Sequence, residues 1–355
     1  MAEITAEEVL ARFEELSLLE SEFEDVELEM IRKSHALTTP LYKKRAATIS
    51  KIPHFWALVF EQSPPEVDNF IQPSDSKVFA ECLSTFSVSR FEIDDSAGSP
   101  RSFTITFGFN ENDYFEDRVL EKKFWFRKAV DGVDGWEGLV SEPVKIRWKK
   151  GQDLTGGLTD AAFALCEARK KLAKSGAANG KAKAKAKAKA KETELPEYKA
   201  LAQKIEAGED ASNSFFAWFG FVSSWRWVSA EESAEATKIE AARKEKRKNG
   251  EKVDEEEEKD DEDDQIDFQE VEVFPQGDEL ATILAEDMWP SAIKYFKHAH
   301  EADDDDQLSD LEVEEFDEDD ESDGEIDIRG LVGKGRHSKA SGSSESPPPK
   351  KQRKN

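Results

Sequence analysis

The side chains that most often carry out catalysis are sparse in this sequence and lie far apart. The histidines and cysteines are His35, His54, His298, His300, His337, Cys82 and Cys166. A nucleophilic site needs a supporting base beside it, and a phosphate loop needs a glycine-rich turn followed by a lysine on a helix. No stretch of the sequence supplies either pattern. We therefore expect no enzyme activity, no cofactor and no metal site.

Carboxylates are the abundant reactive groups, and most of the negative charge lies in two strips. Residues 301–327 hold 17 Asp or Glu and no Lys or Arg, and residues 254–264 carry a net charge of −9. The whole chain carries −28, so the remainder is close to neutral. Localised charge of one sign favours a partner of the opposite sign, with a solubilising tail as the alternative.

The composition also limits the class of protein. The 355 residues include 23 Phe and 8 Trp, which indicates a substantial apolar core. The acidic start has no apolar core of signal-peptide length, and no apolar run approaches the length of a membrane span, so we expect neither. The two cysteines fit a reducing compartment. The basic clusters 243–248 and 347–355 resemble nuclear-import signals, so we expect a nuclear protein that could shuttle with the cytoplasm.

The first fifty residues predict one long helix. Thr5 and Glu8 have the spacing of a capping box, and Pro40 is expected to bend or interrupt the helix. The apolar stripe repeats every three or four residues, as in a coiled coil. It consists of Leu16, Leu19, Phe23, Val26, Met30 and Leu37. A single stripe on so long a helix needs cover, either from a second copy or from a fold back onto the chain's own core.

The charges of this segment favour the second copy. Residues 1–31 contain eleven acids and one Arg, whereas residues 32–51 contain six basic residues and no acid. Two copies laid antiparallel would set the acidic half of each helix against the basic half of the other. We therefore predict an antiparallel homodimer formed through this helix.

Alternating apolar and polar residues after Lys51 predict a sheet. Residues 55–60 are expected to form a buried helix. The expected strands are 82–94, 101–110, 122–129 and 143–150. The second strand has one apolar face, which consists of Phe103, Ile105, Phe107 and Phe109. Four successive strands with short connections imply an antiparallel meander packed against helices, which is an α+β fold.

Five blocks of sequence, in this order, resemble the nucleosome assembly protein family, and most closely its SET-like, template-activating-factor branch. They are KRAATISKIPHFWALVF, FGFNENDYFEDRVLEKKFWF, IRWKKGQDLT, NSFFAWF and EDMWPSAIKYF. The resemblance implies a dimerisation helix over 1–50, an "earmuff" domain over 51–300 and a disordered acidic tail over 301–355. The sequence departs from the family pattern in two low-complexity inserts, near 156–212 and 229–276, whose roles the resemblance does not give.

The resemblance further implies a histone chaperone that shields core histones from nonspecific DNA contact and promotes nucleosome assembly. Binding is expected at the underside of the earmuff and at the acidic tail. The expected histone-binding residues are Asp278, Glu279, Glu286, Asp287, Glu301, Asp303, Asp304, Asp305 and Asp306. For Asp278 and Glu279, helix capping and solvation are an equally good explanation, with Asp278 as the cap of a helix that reaches Met288.

Other roles remain open at this point. The resemblance implies, as alternatives, inhibition of a protein phosphatase or a role as accessory subunit of a histone acetyltransferase. The alternating Lys–Ala run at 181–191 is expected to be a solvated loop, with contacts to DNA phosphates or to the acidic tail as alternatives. No membrane and no sequence-specific nucleic acid is expected among the partners.

Overall fold

The computed structural model describes residues 6–130, 135–176, 192–208, 214–249 and 268–309. The expected cap at Thr5, the Lys–Ala run, the acidic strip 254–264 and most of the tail therefore lie outside the described residues. In the described part, none of the helices combines the length and the apolar character needed to cross a membrane.

The chain begins with a long helix and continues as helices around one sheet. The helices are α1 (Ala6–Ile49), α2 (Phe55–Glu61), α3 (Pro65–Asp68), α4 (Pro73–Cys82), α5 (Leu158–Gly176), α6 (Pro196–Ala207), α7 (Ala230–Lys248), α8 (Gly277–Ile283) and α9 (Ala292–Ser309). A 3₁₀ helix spans Phe215–Gly220, and a π turn at Leu284–Met288 extends α8. The strands are β1 (Leu83–Ser89), β2 (Phe103–Phe109), β3 (Val119–Ala129) and β4 (Trp136–Ser141).

Helix α1 is continuous, and Pro40 lies inside it without ending it. Proline removes one backbone donor from the helix. In the turn before it, Thr38 and Thr39 donate their hydroxyls to the carbonyls of Ser34 and His35, at 2.8 and 2.7 Å. At 1.5 Å per residue, a helix of this length extends roughly 66 Å, well beyond what one small domain can cover.

The four strands form the predicted antiparallel meander, in the order β1-β2-β3-β4. The apolar face of β2 is buried as expected, with Phe103, Ile105, Phe107 and Phe109 at 4% exposure or less. The 3₁₀ segment FFAWFG packs against this face and is completely buried. Helix α2 is also buried along its length, which confirms the helix expected at 55–60. The core is therefore a dense aromatic layer between the sheet and the helices.

The strand predicted at 143–150 is wrong, because the fourth strand is β4, at Trp136–Ser141. The backbone of 141–144 bonds to the 3₁₀ segment and the residues after it: the Ser141 and Val144 amides donate to the carbonyls of Val222 and Phe219. The alternating side chains of the mispredicted segment still pack on the core, and its backbone makes a single antiparallel bridge, between Trp148 and Phe115, in place of a strand. Residues 91–101 form turns instead of extending β1.

The two inserts predicted as low-complexity segments contain helices in their described parts. Helices α5 and α6 lie within 156–212, and α7 lies within 229–276. Several of their side chains belong to the core, namely Leu158, Leu165, Tyr198, Leu201, Val271, Val273 and Phe274. These apolar residues contribute to the core, although charged residues separate many of them in the sequence.

Candidate functional site

The apolar stripe of α1 is exposed along its whole length. The six residues expected to mediate dimerisation are between 47% and 75% exposed, and Val9, Phe13 and Leu41 extend the same exposed set. Large apolar side chains in a continuous row rarely face water in a stable monomer. The stripe is therefore a candidate interface, and the fold of the chain provides no cover for it among the described residues.

The end of α1 is fixed to the domain by aromatic and cationic contacts. The ring centroids of Tyr42 and Trp289 lie 4.0 Å apart, and the Arg45 guanidinium stands 4.7 and 4.8 Å from these two rings. Arg45 also donates to the carbonyls of Trp289 and Pro290, at 2.6 and 3.1 Å. Burial lowers the pKa of Arg45 from its ordinary value. These contacts set the direction in which α1 leaves the domain.

A second attachment holds the middle of α1, through charges rather than rings. Glu24 lies 3.2 Å from Arg101 and 3.1 Å from Lys128, and Asp25 lies 2.7 Å from Lys244. The three cations come from the start of β2, the end of β3 and helix α7. This ionic clamp, the contacts of Glu24 and Asp25 with those cations, therefore uses part of the acidic half of α1 within the chain itself.

The acidic residues of α8 divide into two pairs. Asp278 and Glu279 lie in the first turn, and Asp278 accepts a 3.1 Å hydrogen bond from the Glu279 amide. Asp278 is not the N-cap, because Gln276 occupies that position. Glu279 is exposed, and Asp278 is half-buried. Negative charge here complements the helix dipole and leaves these carboxylates directed toward solvent.

Glu286 and Asp287, in contrast, have partners in the chain. Arg90 donates to Glu286 at 3.1 Å and also to the carbonyls of Pro100 and Arg101. The Tyr295 hydroxyl donates to Asp287 at 2.6 Å, and burial together with this hydrogen bond raises the pKa of Tyr295 to about 12. Both carboxylates stay exposed, so they combine a structural contact with an accessible charge.

The remaining expected histone-binding residues lie on the last helix. Glu301 is exposed on α9. The backbone of Asp303, Asp304, Asp305 and Asp306 belongs to the same helix, which ends at Ser309, but their side chains lie outside the described part. The described helix thus continues beyond residue 301, where the tail was predicted to begin.

A buried pair of ionisable groups was not foreseen from the sequence. The Lys122 ammonium donates to the carbonyls of Glu142, Phe219 and Phe221, at 3.1, 3.2 and 2.9 Å. The Glu272 carboxylate accepts from three backbone amides, two of them just after the 3₁₀ segment and one two residues after Glu272 itself. Its donors are Val222, Ser223 and Phe274. Burial is the main cause that lowers the pKa of Lys122 and raises that of Glu272, both to about 7.

This pair holds the FFAWFG segment in place. It marks a structural site rather than a catalytic one, because hydrogen bonds to the backbone occupy both groups. Within the described ranges, no group of three or more His, Cys, Asp or Glu side chains could hold a metal ion.

The sequence profile of the Nucleosome assembly protein (NAP) family matches residues 20–299. A putative nucleosome assembly protein of Schizosaccharomyces pombe is 34% identical over 155 residues, which are 41% of this chain and 61% of that protein. Protein SET of Drosophila melanogaster is 30% identical over 149 residues, which are 42% of this chain and 52% of that protein. The chain thus spans between half and two thirds of the length of these two relatives.

Among solved structures, a mutant of Ccp1 is similar to this chain with a TM-score of 0.48 and 22% identity, and covers 84% of this chain and 99% of its own. Vps75 follows with a TM-score of 0.47 and 22% identity, and covers 81% and 98%. The family profile alone covers more than three quarters of the sequence. The chain belongs to the nucleosome assembly protein family.

Proposed function

We propose that this protein is a histone chaperone that binds core histones, keeps them from nonspecific contact with DNA and promotes nucleosome assembly. The observation that carries the proposal is the family match over residues 20–299. The charge distribution supports it, since two strips hold nearly all of a net charge of −28. The physical mechanism is competition, in which carboxylates replace DNA phosphates as the counter-charges of histone Lys and Arg.

We assign different roles to the two kinds of acidic surface. The strips at 254–264 and 301–327 raise the local concentration of anions and speed the capture of a basic client. Selectivity needs carboxylates at fixed positions, and Asp278, Glu279 and Glu301 supply these on helices α8 and α9. Arg90 keeps Glu286 at a defined place beside them.

We further propose that a second copy of the chain covers the exposed stripe of α1, with the two helices antiparallel. In this proposal residues 1–50 form the spine of a dimer, residues 51–300 form one domain on each side, and residues 301–355 form the tail. Two domains on one spine present two acidic surfaces at a fixed distance, so a two-lobed histone assembly gains effective concentration on binding.

The functional proposal is tested with purified core histones and DNA at moderate ionic strength. The protein is expected to keep the histones soluble and to remove them from nonspecific DNA complexes, and deletion of 310–355 is expected to slow association more than it changes which histones bind. If the intact protein leaves histones aggregated on DNA, the proposal fails. If the deletion removes all binding, the assignment of selectivity to α8 and α9 fails.

The antiparallel arrangement is tested with a carbodiimide, which joins a carboxylate directly to an amine. Glu20 of one copy is expected to couple to Lys33 of another, because the two positions are equally far from the centre of the stripe and so face each other in an antiparallel pair. Within one helix they lie about 20 Å apart, so the link cannot form inside one chain. Lys33 and Glu29, 3.3 Å apart within the chain, supply the internal control. Interchain links only between identical regions would show a parallel pair.

The proposed site of action is the nucleus. The sequence PPPKKQRKN at 347–355 is rich in the basic residues that import receptors read. A fluorescent fusion with Lys350, Lys351, Arg353 and Lys354 changed to Ala is expected to lose nuclear accumulation. Unchanged accumulation would direct attention to the basic cluster at 243–248.

A further inference from the structure

The outer face of the sheet, opposite the aromatic core, carries three neighbouring aromatic rings that no role described so far uses. Trp125 follows the core residue Phe124 in β3 and therefore points to the other face. Phe91 lies just after β1, and Trp227 lies just before α7. Both are 38% exposed, and they are the only exposed aromatic rings outside α1 among the described residues. We refer to Phe91, Trp125 and Trp227 as the aromatic box.

The rings of the box meet at nearly right angles. The centroids of Phe91 and Trp125 lie 5.9 Å apart with an angle of 82° between the ring planes. Those of Trp125 and Trp227 lie 6.4 Å apart with an angle of 79°. Trp125 thus contacts two rings, each nearly perpendicular to its own. The box therefore offers a ligand aromatic faces of different orientation close to one another.

Neighbouring contacts hold the box in position. Trp225, two residues before Trp227, stacks on Trp136 with centroids 5.0 Å apart. Arg226 forms an ion pair with Glu232 in the first turn of α7 and lies 4.5 Å from the centre of the Trp225 ring. Trp125 packs against the small apolar cluster that includes Val140. An exposed tryptophan on a segment fixed in this way loses little conformational entropy on binding.

Two observations favour a cationic ligand. Rings of this surface already attract cations of the chain itself, since Lys123 stands 5.6 Å from the centre of Phe91 and Arg226 stands over Trp225. Three exposed carboxylates, Asp94, Asp95 and Glu231, lie in the segments next to the box. The nearby cations Lys123, Arg127 and Arg226 each form an ion pair with a carboxylate of the chain, namely Glu121, Glu92 and Glu232. The balance would repel a nucleic acid, although stacked rings could otherwise accept its bases.

We propose that the aromatic box binds the alkylammonium group of a lysine in a basic peptide, and prefers trimethyl-lysine. A quaternary ammonium sheds its water more readily than a primary one and is attracted by the negative faces of the rings. The flanking carboxylates bind neighbouring basic residues of the same peptide. The choice of a basic peptide rests on the proposed function, whereas the recognition of the ammonium group rests on the rings alone.

The test measures fluorescence anisotropy of labelled decapeptides with the full-length protein. The peptides share three flanking lysines and differ at the central residue, which is lysine, trimethyl-lysine or the neutral tert-butyl isostere of trimethyl-lysine. The trimethylated peptide is expected to bind about tenfold more tightly than the isostere, because only it carries the charge that the rings attract. Equal affinity of these two peptides would overturn the proposal.

Matched variants locate the binding at the box. Trp227→Ala is expected to remove the preference for trimethyl-lysine and Trp227→Phe to restore most of it, while Val119→Ala, exposed on the same face of the sheet, leaves it intact. Circular dichroism checks that each variant folds. A preference that survives in Trp227→Ala, or a single-stranded RNA probe that binds through Phe91 and Trp227, would also overturn the proposal.

The outcome is separable from that of the proposed function. Core histones without methylation should still be kept off DNA by Trp227→Ala, because the acidic strips remain. Loss of chaperone activity in the unaltered protein, with the peptide preference retained, would refute the proposed function and leave the box in place.

Discussion

Two rows of large apolar side chains occur in this molecule, and one is buried whereas the other is exposed. Around Phe107 the sheet, α2 and the 3₁₀ segment enclose the aromatic rings. Four ring centroids lie within 6.3 Å of that of Phe107, namely those of Phe60, Phe86, Phe215 and Trp218. On α1, side chains of similar size remain between 40% and 75% exposed.

The difference separates apolar surface that the chain buries by itself from apolar surface that it leaves exposed. The domain satisfies its own apolar surface, whereas the helix carries a surface of the same chemistry that nothing in the described chain covers. Substitutions in the first row should therefore change the unfolding of one chain, and those in the second should change association between chains. The following predictions test that distinction, beginning with the largest effect.

Removal of a core ring is expected to have the largest effect. Phe107→Ala should lower the free energy of unfolding of the domain by about 3–5 kcal/mol, because the vacated volume cannot be refilled by the surrounding rings. Urea denaturation measures this loss. Val119→Ala, in the neighbouring strand but 55% exposed, is the control and should change stability by less than about 0.5 kcal/mol. A similar loss for both would mean that the aromatic layer is loosely packed.

The buried pair comes next. Glu272→Ala should cost about 3 kcal/mol, because three backbone amides lose their acceptor and Lys122 loses a nearby negative charge. Denaturation in urea gives the value. Glu270→Ala, two residues away and bonded to the Tyr198 hydroxyl, is the comparison and should cost clearly less.

The same pair predicts a dependence on pH. Burial lowers the pKa of Lys122 to about 7 from its ordinary value of 10.5. Below pH 7 the folded state carries the full penalty of a buried charge, and the penalty disappears as the pH rises toward 10.5. The free energy of unfolding of the unaltered protein, relative to Lys122→Met, should therefore increase over that window. A difference that is flat with pH would show that Lys122 stays protonated in the fold.

The stripe is expected to control association. The double substitution Phe23→Ser with Met30→Ser should weaken a dimer by at least about 100-fold, since each dimer loses four buried side chains. Sedimentation velocity would show the mass falling toward 40.0 kDa, while the urea midpoint of the domain stays unchanged. Glu22→Ser with Arg32→Ser, also exposed on α1, keeps the net charge and should weaken association far less, because an exposed ion pair contributes about 1 kcal/mol or less. A monomeric unaltered protein would refute the proposed dimer outright.

The ionic clamp should give the smallest effect. Arg101→Ala removes the contact with Glu24, whose side chain is 26% exposed, and is expected to cost about 1 kcal/mol or less at low salt. The cost should fade at high ionic strength, because added salt screens the attraction between the two charges. A double-mutant cycle with Glu24→Ala isolates the pair. An effect that is independent of salt would show that Arg101 acts through packing on Phe126, 4.9 Å away, rather than through charge.

The elements with a regular period were predictable from the sequence. The three-and-four spacing of the stripe predicted α1, and the alternation in β2 predicted the buried face of the sheet. Strand β4 was missed because its sequence, WEGLVS, contains a glycine and follows the glycine-containing sequence VDGVDG. Gly138 is needed there, because a side chain at that position would meet the Trp136 ring at 2.6 Å.

Long-range polar contacts were not predictable in the same way. Arg90 and Glu286 lie 196 positions apart, and nothing in the sequence marks one charged residue as the partner of another. Lys122 did leave a signal, since it alternates with Leu120 and Phe124 and so faces the core. The general rule that lysines lie at the surface hid it. The candidate acids of α8 came from the family resemblance, whereas Glu301 and the acids at 303–306 came from the run of carboxylates in the sequence.

Arg45, enclosed by Tyr42, Trp56 and Trp289, joins the helix to the domain through contacts that leave little freedom for rotation. Two domains connected by paired helices through such joints would be held at one fixed separation. That separation would then set the size of the partner that fits between the two domains.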